Sequence, residues 1–423
     1  MLSVKANLLA SRGHEVSIVV LRLKGRKPFF PIDPSVNIVD LSAPYLSLPG
    51  HPSSANATSD SPRTTVSSAV GSTSVPATGS ARTESSASPV SSAAGIASVP
   101  ATGASERLKG SVRKRLARVV EMLDPDVCVS LCGPEVRILP AVAGGRPCVA
   151  EYHFSHDKFY RKYGGIFLYP YAWLRTHMLE RAVSEYDCMV TLTEHDLPIW
   201  KRHCRRVERI FNPVTTPPGQ VSRLAEKRMI AVGRLEDQKN FKDLVSAWSI
   251  VAERCPDWRL EIFGEGKLEH ALRSQIARLG LTGSVILRGV VKDIASEYSN
   301  SSALLMTSLH EGFPLALVEA SSFGLPLISY DCPTGPSEII VDAGDGGDAG
   351  NVPAATLDQA AGNTPNGYLV PVGDVRTLAD RICRIASDDN LRLRLGAASK
   401  ASSHRFTPET IISAWEHLFF SLL

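Results

Sequence analysis

Residues 303–330 read ALLMTSLHEGFPLALVEASSFGLPLISY. An apolar run from Ala303 to Met306 is long enough for a buried strand, the stretch from Pro314 to Phe323 for a helix, and Pro326 to Ser329 for a second strand. Two strands joined through a helix lie parallel in one sheet. Outward from this unit the same alternation continues toward the N-terminus. Strands are expected at Met229 to Val232, Arg259 to Phe263 and Ser284 to Arg288, with helices over Phe241 to Glu253, Lys267 to Leu279 and Asp293 to Ser299. Repeated βα pairs predict an α/β domain with a doubly wound parallel sheet, whose ligands bind at the carboxyl ends of the strands.

The first half reads alike. A helix over Leu2 to Ser11 stops at Gly13 and passes through RGHEVSIVV into a strand at Val16 to Leu21, with a second apolar element at Val36 to Leu41. Further on come an amphipathic helix ending at Pro125, strands at Val127 to Leu131, Pro147 to Tyr152 and Cys188 to Leu192, and a helix from Pro170 to Ser184. The Pro/Gly break at Pro217, Pro218 and Gly219 marks the passage between two domains. The expected division is 1–215, 216–405, and a closing segment 406–423.

At 423 residues, 43% hydrophobic and 21% charged, the chain is too long for one core and too apolar for a disordered one. Ser53 to Ser105 departs from that average: it holds no Leu, Phe, Tyr, Trp, Met, Cys or Lys. It cannot bury enough apolar area to offset its ordering entropy, which predicts a disordered Ser/Ala/Thr-rich insertion over 53–105. Inside it, SSAVGSTSVPATG (67–79) recurs as SSAAGIASVPATG (91–103). Such copies lack a face to stack, so a flexible linker is expected, with a glycosylated stalk as the other option.

A net charge of +3 is too even for bulk nucleic-acid binding. Eight scattered cysteines without a CxxC pair suit buried thiols in a reducing compartment, so a cytoplasmic location is expected. The basic clusters at 109–118 and 201–209 leave two readings open: a solvated face, or peripheral contact with anionic lipid on the inner face of the plasma membrane.

The chemistry sits in the loops. Gly233 and Arg234 end one strand and Lys239 starts the next helix, giving close backbone approach and two cations for a di-anion, although plain surface charges read alike. In SLHEGFPLALVE, Gly312 and Pro314 open a helix whose free amides and dipole make a phosphate seat. Glu311 precedes that helix and Glu319 lies inside it. Carboxylates accept from vicinal hydroxyls, so a ligand anionic in the middle with diols at both ends fits: a sugar nucleotide. The plainer reading makes Glu311 a helix-terminal charge and Glu319 a buried partner.

GRLEDQKN, IFGEGKLE, SLHEGFPLALVEASSFGLPLIS, DCPTGPSEII and NGYLVPVGD, in that order, resemble the nucleotide-binding half of retaining glycosyltransferases of family 4. The resemblance extends more weakly to RGHEVSIV, LTEHD and NPV. It implies the GT-B fold, two facing Rossmann-like domains with the last helix crossing back to the first. It also implies a nucleotide-sugar donor as co-substrate, with UDP-sugar expected, no metal or other cofactor, and a glycan or lipid-linked glycan acceptor of the cell envelope or an exopolysaccharide. By the same resemblance Arg234 and Lys239 would neutralise the diphosphate, and the amides of Gly312, Phe313, Leu315 and Ala316 would line diphosphate and sugar. Glu311 would hold sugar hydroxyls and Glu319 the ribose diol. Gly233 would edge the donor site, the loops at Gly264 to Gly266 and Gly289 to Val291 would flank the base, and His153 would stand near the sugar, with a packing role as its alternative.

Two departures stand out. The family opens with a strand and a Gly-rich loop, whereas Met1 already lies in the following helix. This makes a sugar-nucleotide-binding protein without transferase activity the rival expectation, unless the recorded start is late. A Gly/Ala-rich surface insertion is expected at about 342–363, where the family has a short turn.

Overall fold

The computed structural model describes residues 1–21, 23, 30–43, 45–46, 64–68, 106–107, 111–163, 167–216, 220–344 and 364–423. The first domain runs α1 (Leu2–Ser11), β1 (Val16–Val20), β2 (Asn37–Asp40), β3 (Tyr45–Leu46), β4 (Thr64–Ser68), β5 (Glu106–Arg107), α2 (Val112–Leu123), β6 (Val127–Ser130), β7 (Cys148–Tyr152), α3 (Lys158–Lys162), α4 (Tyr169–Val183), β8 (Cys188–Thr191), α5 (Leu197–Trp200) and β9 (Val207–Arg209). Seven of these strands form one sheet in the order β2-β1-β4-β6-β7-β8-β9, while β3 and β5 pair apart from it. Every pairing in the seven-stranded sheet is parallel. All residues of β1, β6, β7 and β8 are buried, as they must be in a sheet covered on both faces, which is why these strands read as continuous rather than alternating apolar runs.

The second domain contains β10 (Arg228–Val232), α6 (Phe241–Arg254), β11 (Arg259–Phe263), α7 (Glu269–Arg278), β12 (Val285–Gly289), α8 (Ile294–Ser299), β13 (Ala303–Met306), α9 (Leu315–Ser322), β14 (Leu327–Tyr330), α10 (Pro336–Ile339), β15 (Gly367–Val370), α11 (Val375–Ser387) and α12 (Asp389–Ser402). Its six strands are ordered β12-β11-β10-β13-β14-β15, all parallel. The final helix, α13 (Pro408–Phe420), packs Ile411, Ile412, Trp415, Leu418 and Phe419 into one core with Ala6, Leu9, Val16 and Ile18 of the first domain.

One expectation is corrected here. Within 53–105 the segment Thr64–Ser68 is not a loose insertion but a strand, and a central one: Val66 lies in register with Ile18 on one side and Val129 on the other. Composition undercounts such a segment because an interior strand is held chiefly by backbone hydrogen bonds to both neighbours, and Thr64, Thr65 and Val66 are β-branched. Its place is informative. In the second domain the opening strand β10 sits between β11 and β13; in the first, β4 takes the corresponding place between β1 and β6. In the first domain a strand from within the chain therefore holds the slot that the opening strand holds in the second. The rest of 53–105, both repeat copies beyond Ser68 included, lies outside the described residues, as do 345–363 of the second expected insertion. All eight cysteines are free thiols, and no described helix is long and apolar enough to cross a membrane.

Candidate active site at the domain cleft

Four loops meet at the carboxyl ends of β10, β11, β13 and β14. Gly264 has a φ of +133°, and a Cβ on it would stand 1.9 Å from the Gly233 carbonyl oxygen; one on Gly266 would stand 2.5 Å from that of Leu235. Only glycine lets these loops lie backbone to backbone, where the Leu235 amide donates to the Glu265 carbonyl at 2.9 Å and that of Gly264 to Gly289 at 2.8 Å. Gly264 and Gly266, expected beside the base, thus serve first as packing points between loops. Gly233 leaves room for the Lys239 stem, whose Cε would lie 3.0 Å from a Cβ at 233.

Lys239 ends a 3-10 turn, Asp237–Lys239, before α6. The Gln238 side-chain amide donates to the His310 carbonyl at 2.8 Å, and the Leu309 amide to the Gln238 carbonyl at 2.9 Å, which ties this turn to the loop after β13. Across that tie Lys239 Nζ donates to Glu311 Oε1 at 2.7 Å; the two side chains are 18% and 9% exposed. The two residues expected to hold different parts of the donor therefore hold each other, and only the second Glu311 oxygen takes no hydrogen bond from a described residue. Arg234 is 66% exposed and pairs with Glu236 at 3.0 Å.

Pro314 is the N-cap of α9 and not a member of its first turn, in an extended conformation with ψ of 92°. The Leu317 and Val318 amides turn back to its carbonyl, while those of Gly312, Phe313, Leu315 and Ala316 find no acceptor among the described residues. A helix start with free amides beside a lysine is a seat for an anion. Gly335, with φ of +102°, presses on Pro314, and the Thr334 hydroxyl donates to the Glu311 carbonyl, so the loop after β14 buttresses the seat. Burial and then the Glu311 charge push the neighbouring Cys332 thiol up to about 12.

Glu319 faces inward from α9. Its Oε1 accepts from the Thr215 hydroxyl at 2.6 Å and the Thr216 hydroxyl at 3.4 Å, and its Oε2 from the Tyr298 hydroxyl at 3.1 Å. The carboxylate does accept from hydroxyls, but they are the protein's own; a ribose diol would displace the threonines.

His153 is brought to the cleft. A Cβ on Gly312 would lie 2.4 Å from the His153 carbonyl oxygen, so the two domains touch at this glycine. The His153 ring points the other way, with Nε2 3.2 Å from Glu151 Oε1. The Phe313 ring is buried at the domain junction, stacked on Phe211 at 5.3 Å with Phe406 edge-on at 5.9 Å, while its amide, the group expected on the donor, finds no acceptor among the described residues. Leu315 lies at the open first turn of α9.

Three contributors were not anticipated from the sequence. Glu338, inside DCPTGPSEII, accepts from the Glu194 amide at 2.6 Å and from Arg209 at 3.2 Å, which latches α10 onto the first domain. Burial, then the Arg161 charge, hold His310 below its ordinary pKa between the domains. Lys158 lies 3.1 Å from the Phe154 ring centre, and burial, with Lys162 adding to it, brings its ammonium down to about 8. Their motifs or charges were visible, but the partners that the tertiary structure gives them, across the cleft for Glu338 and His310 and within the first domain for Lys158, were not. In LTEHD, Asp196 is the N-cap of α5 and accepts from the Thr193 hydroxyl at 3.2 Å.

Two doubly wound parallel domains meeting at an anion seat define a GT-B architecture. Residues 217–402 match the family described as Glycosyl transferases group 1. An uncharacterized glycosyltransferase of Haemophilus influenzae is 26% identical over 309 residues, 72% of this chain and 79% of that protein. The amylovoran biosynthesis glycosyltransferase AmsD of Erwinia amylovora is 30% identical over 193 residues, 46% of this chain and 48% of its own, so the chain spans about half of that relative. Among solved structures, Anabaena HepE in complex with UDP superposes with a TM-score of 0.57 at 18% identity, covering 73% of this chain and 82% of that one.

Proposed function

We propose that this protein is a retaining glycosyltransferase. It moves a sugar from a nucleotide-sugar of the UDP class to a glycan or lipid-linked glycan in cell-envelope or exopolysaccharide synthesis. The observation that carries the reading is the free amide edge of α9 beside Lys239 and Arg234, facing the first domain at Gly312. The UDP held by the similarly folded Anabaena protein and the amylovoran role of the Erwinia relative support the donor and acceptor classes.

Diphosphate would sit at the amides of Leu315 and Ala316, with Lys239 shared between it and Glu311, and Arg234 turning from Glu236 to its outer side. Such preorganised donors stabilise the leaving group as charge develops on it. The acceptor oxygen bonds to the anomeric carbon as the bond to phosphate breaks, and its proton passes to the departing phosphate oxygen on the same face, which retains the configuration. Glu311, committed to Lys239 through Oε1, orients sugar hydroxyls through its other oxygen and is no nucleophile. The transfer step itself uses no metal in this reading.

The acceptor side is read as membrane-proximal, through a surface that adds to the two basic clusters. In those clusters Arg118 pairs with Glu121 and Arg206 with Glu208, while Arg209 is spent on the domain latch. Phe167, Leu168, Tyr169, Tyr171 and Trp173, by contrast, are 93, 50, 58, 42 and 53% exposed at the start of α4. Arg175 stands over Tyr171 and Lys162 over Tyr163 in the same region. Aromatic rings interleaved with cations suit an anionic headgroup layer.

The test is transfer of radiolabelled sugar from a panel of sugar nucleotides to lipid-linked acceptors, with and without EDTA, and NMR of the product anomer. Transfer with retention that survives EDTA and falls at least tenfold in Glu311→Gln is expected. Inversion, or equal transfer by the variant, would overturn the assignment. Donor binding by calorimetry without transfer would favour the rival, a binding protein, a reading kept open because the residues following β4 carry no Gly-rich loop of the family's kind.

A further inference from the structure

Away from the cleft, four ionisable side chains converge from separate segments of the first domain. Glu180, on the last turn of α4, presents Oε1 to His156 Nε2 at 2.8 Å and to His203 Nε2 at 3.4 Å. The ligand atoms of these three residues all lie within 4.8 Å of one another. One turn earlier on α4, His177 Nδ1 lies 3.5 Å from Glu180 Oε2. The arrangement is held from behind. The His156 amide donates to Asp196 Oδ1 at 3.4 Å, its ring meets Trp200 edge-on at 5.1 Å, and it lies nearly parallel to the His203 ring, 6.5 Å away.

We propose that His156, Glu180 and His203 form a binding site for a divalent transition-metal ion of the zinc class. In a tetrahedral zinc site with bonds near 2.0–2.1 Å, neighbouring donor atoms stand ~3.3 Å apart. The two carboxylate–imidazole separations bracket that spacing, and the two imidazole nitrogens lie within 4.8 Å of each other, so side-chain rotation alone can bring the three donors round one ion. Two neutral imidazoles and a carboxylate are the donor set that zinc prefers among biological oxygen and nitrogen ligands, and His177 or a water would take the fourth position. Glu180 and His156 are each 16% exposed and His203 30%, so the site is half-buried and open to solvent on the His203 side.

The ion would clip three segments: the loop after β7, helix α4, and the turn after α5. His156 lies three residues beyond His153, whose carbonyl meets Gly312 across the cleft. The clip would therefore fix the first-domain wall of the cleft without touching the reacting atoms. This inference goes beyond the proposed glycosyl transfer and stands on none of its assumptions.

The test uses the full chain carrying no polyhistidine tag. Protein equilibrated with Zn²⁺ and dialysed against metal-free buffer is measured for zinc by atomic emission, and Co²⁺ is titrated with visible spectroscopy. About one Zn²⁺ per chain is expected, together with Co²⁺ d–d bands lacking thiolate charge transfer and a zinc-dependent rise in melting temperature. Glu180→Gln and His203→Ala should each weaken Zn²⁺ binding at least tenfold while melting cooperatively without metal. Bound zinc well below one equivalent, undiminished binding by the two variants, or a thiolate band showing cysteine ligation would each overturn the site. Because the readout is bound metal, this outcome does not depend on whether transfer is observed.

Discussion

Replacing Lys5 by Met tests a buried ion pair of the first domain. Glu151, in the central strand β7, is fully enclosed, and its Oε1 accepts from Lys5 of α1 and faces His153 Nε2. Burial alone would raise this carboxyl, but the Lys5 ammonium and the His153 ring outweigh it and hold it at about 2, against an ordinary 4.5. That depression is equivalent to about 3 kcal/mol of stability at neutral pH. Because the unfolded chain takes up the proton first, the contribution is complete above pH 4.5 and is lost as the pH falls through 2. Lys5→Met keeps the stem near Trp415, over which the ammonium now sits at 5.1 Å, yet takes the ammonium from the carboxylate and leaves it the His153 ring at 3.2 Å. Removing one partner of a buried pair costs about 3–5 kcal/mol. The assay is urea unfolding of both proteins at several pH values between 3 and 7, followed by circular dichroism. The variant should be less stable by that amount at pH 7, and the gap should shrink by roughly half or more at pH 3, where protonation neutralises the buried carboxylate that has lost its ammonium. A gap below about 1 kcal/mol, or one unchanged between pH 7 and pH 3, would refute the reasoning.

Other changes have distinct signatures. Gly312→Ala places a Cβ 2.4 Å from the His153 carbonyl oxygen, so the cleft cannot close as it does here; kcat/KM for transfer should drop about tenfold or more, a loss near 1.4 kcal/mol, with the melting temperature nearly unchanged. A double-mutant cycle of Lys239→Met with Glu311→Gln, read by unfolding, should give a coupling of about 1–3 kcal/mol, and additive effects would mean the two side chains do not pair in solution. Glu338→Ala removes the acceptor for Arg209 and the Glu194 amide; domain melting should separate into two calorimetric transitions, and a single unchanged transition would remove the latch. Trp173→Ala should lower flotation with anionic liposomes while leaving transfer to a water-soluble acceptor unchanged; equal flotation would dismiss the aromatic surface.

Much of the second domain was legible because its βα units are local. Arg259–Phe263 and Ala303–Met306 form strands over the residues their apolar runs indicate, and α9 falls inside Pro314 to Phe323. Local patterns of apolar period and helix punctuation survive packing when both faces of a sheet are covered. The strand Thr64–Ser68 was not legible, because its identity lies in pairing with Ile18 and Val129, residues far away in the chain. For the same reason the packing of the Phe313 ring into the domain junction and the cross-domain bonds of Glu338 were not legible.

By itself the sequence determined the layering, two parallel α/β domains, and the chemical type of the cleft: glycines, a lysine, an arginine and two glutamates in the loops after the second domain's strands. The tertiary structure decided how those groups divide their bonds. Glu311 closes on Lys239, Glu319 on Thr215 and Tyr298, and His153 lends the cleft its carbonyl while its ring turns to Glu151. Secondary structure follows from neighbours a few residues apart, whereas a buried charge must find its partner wherever the chain brings one, and that distance is set only when the domains pack.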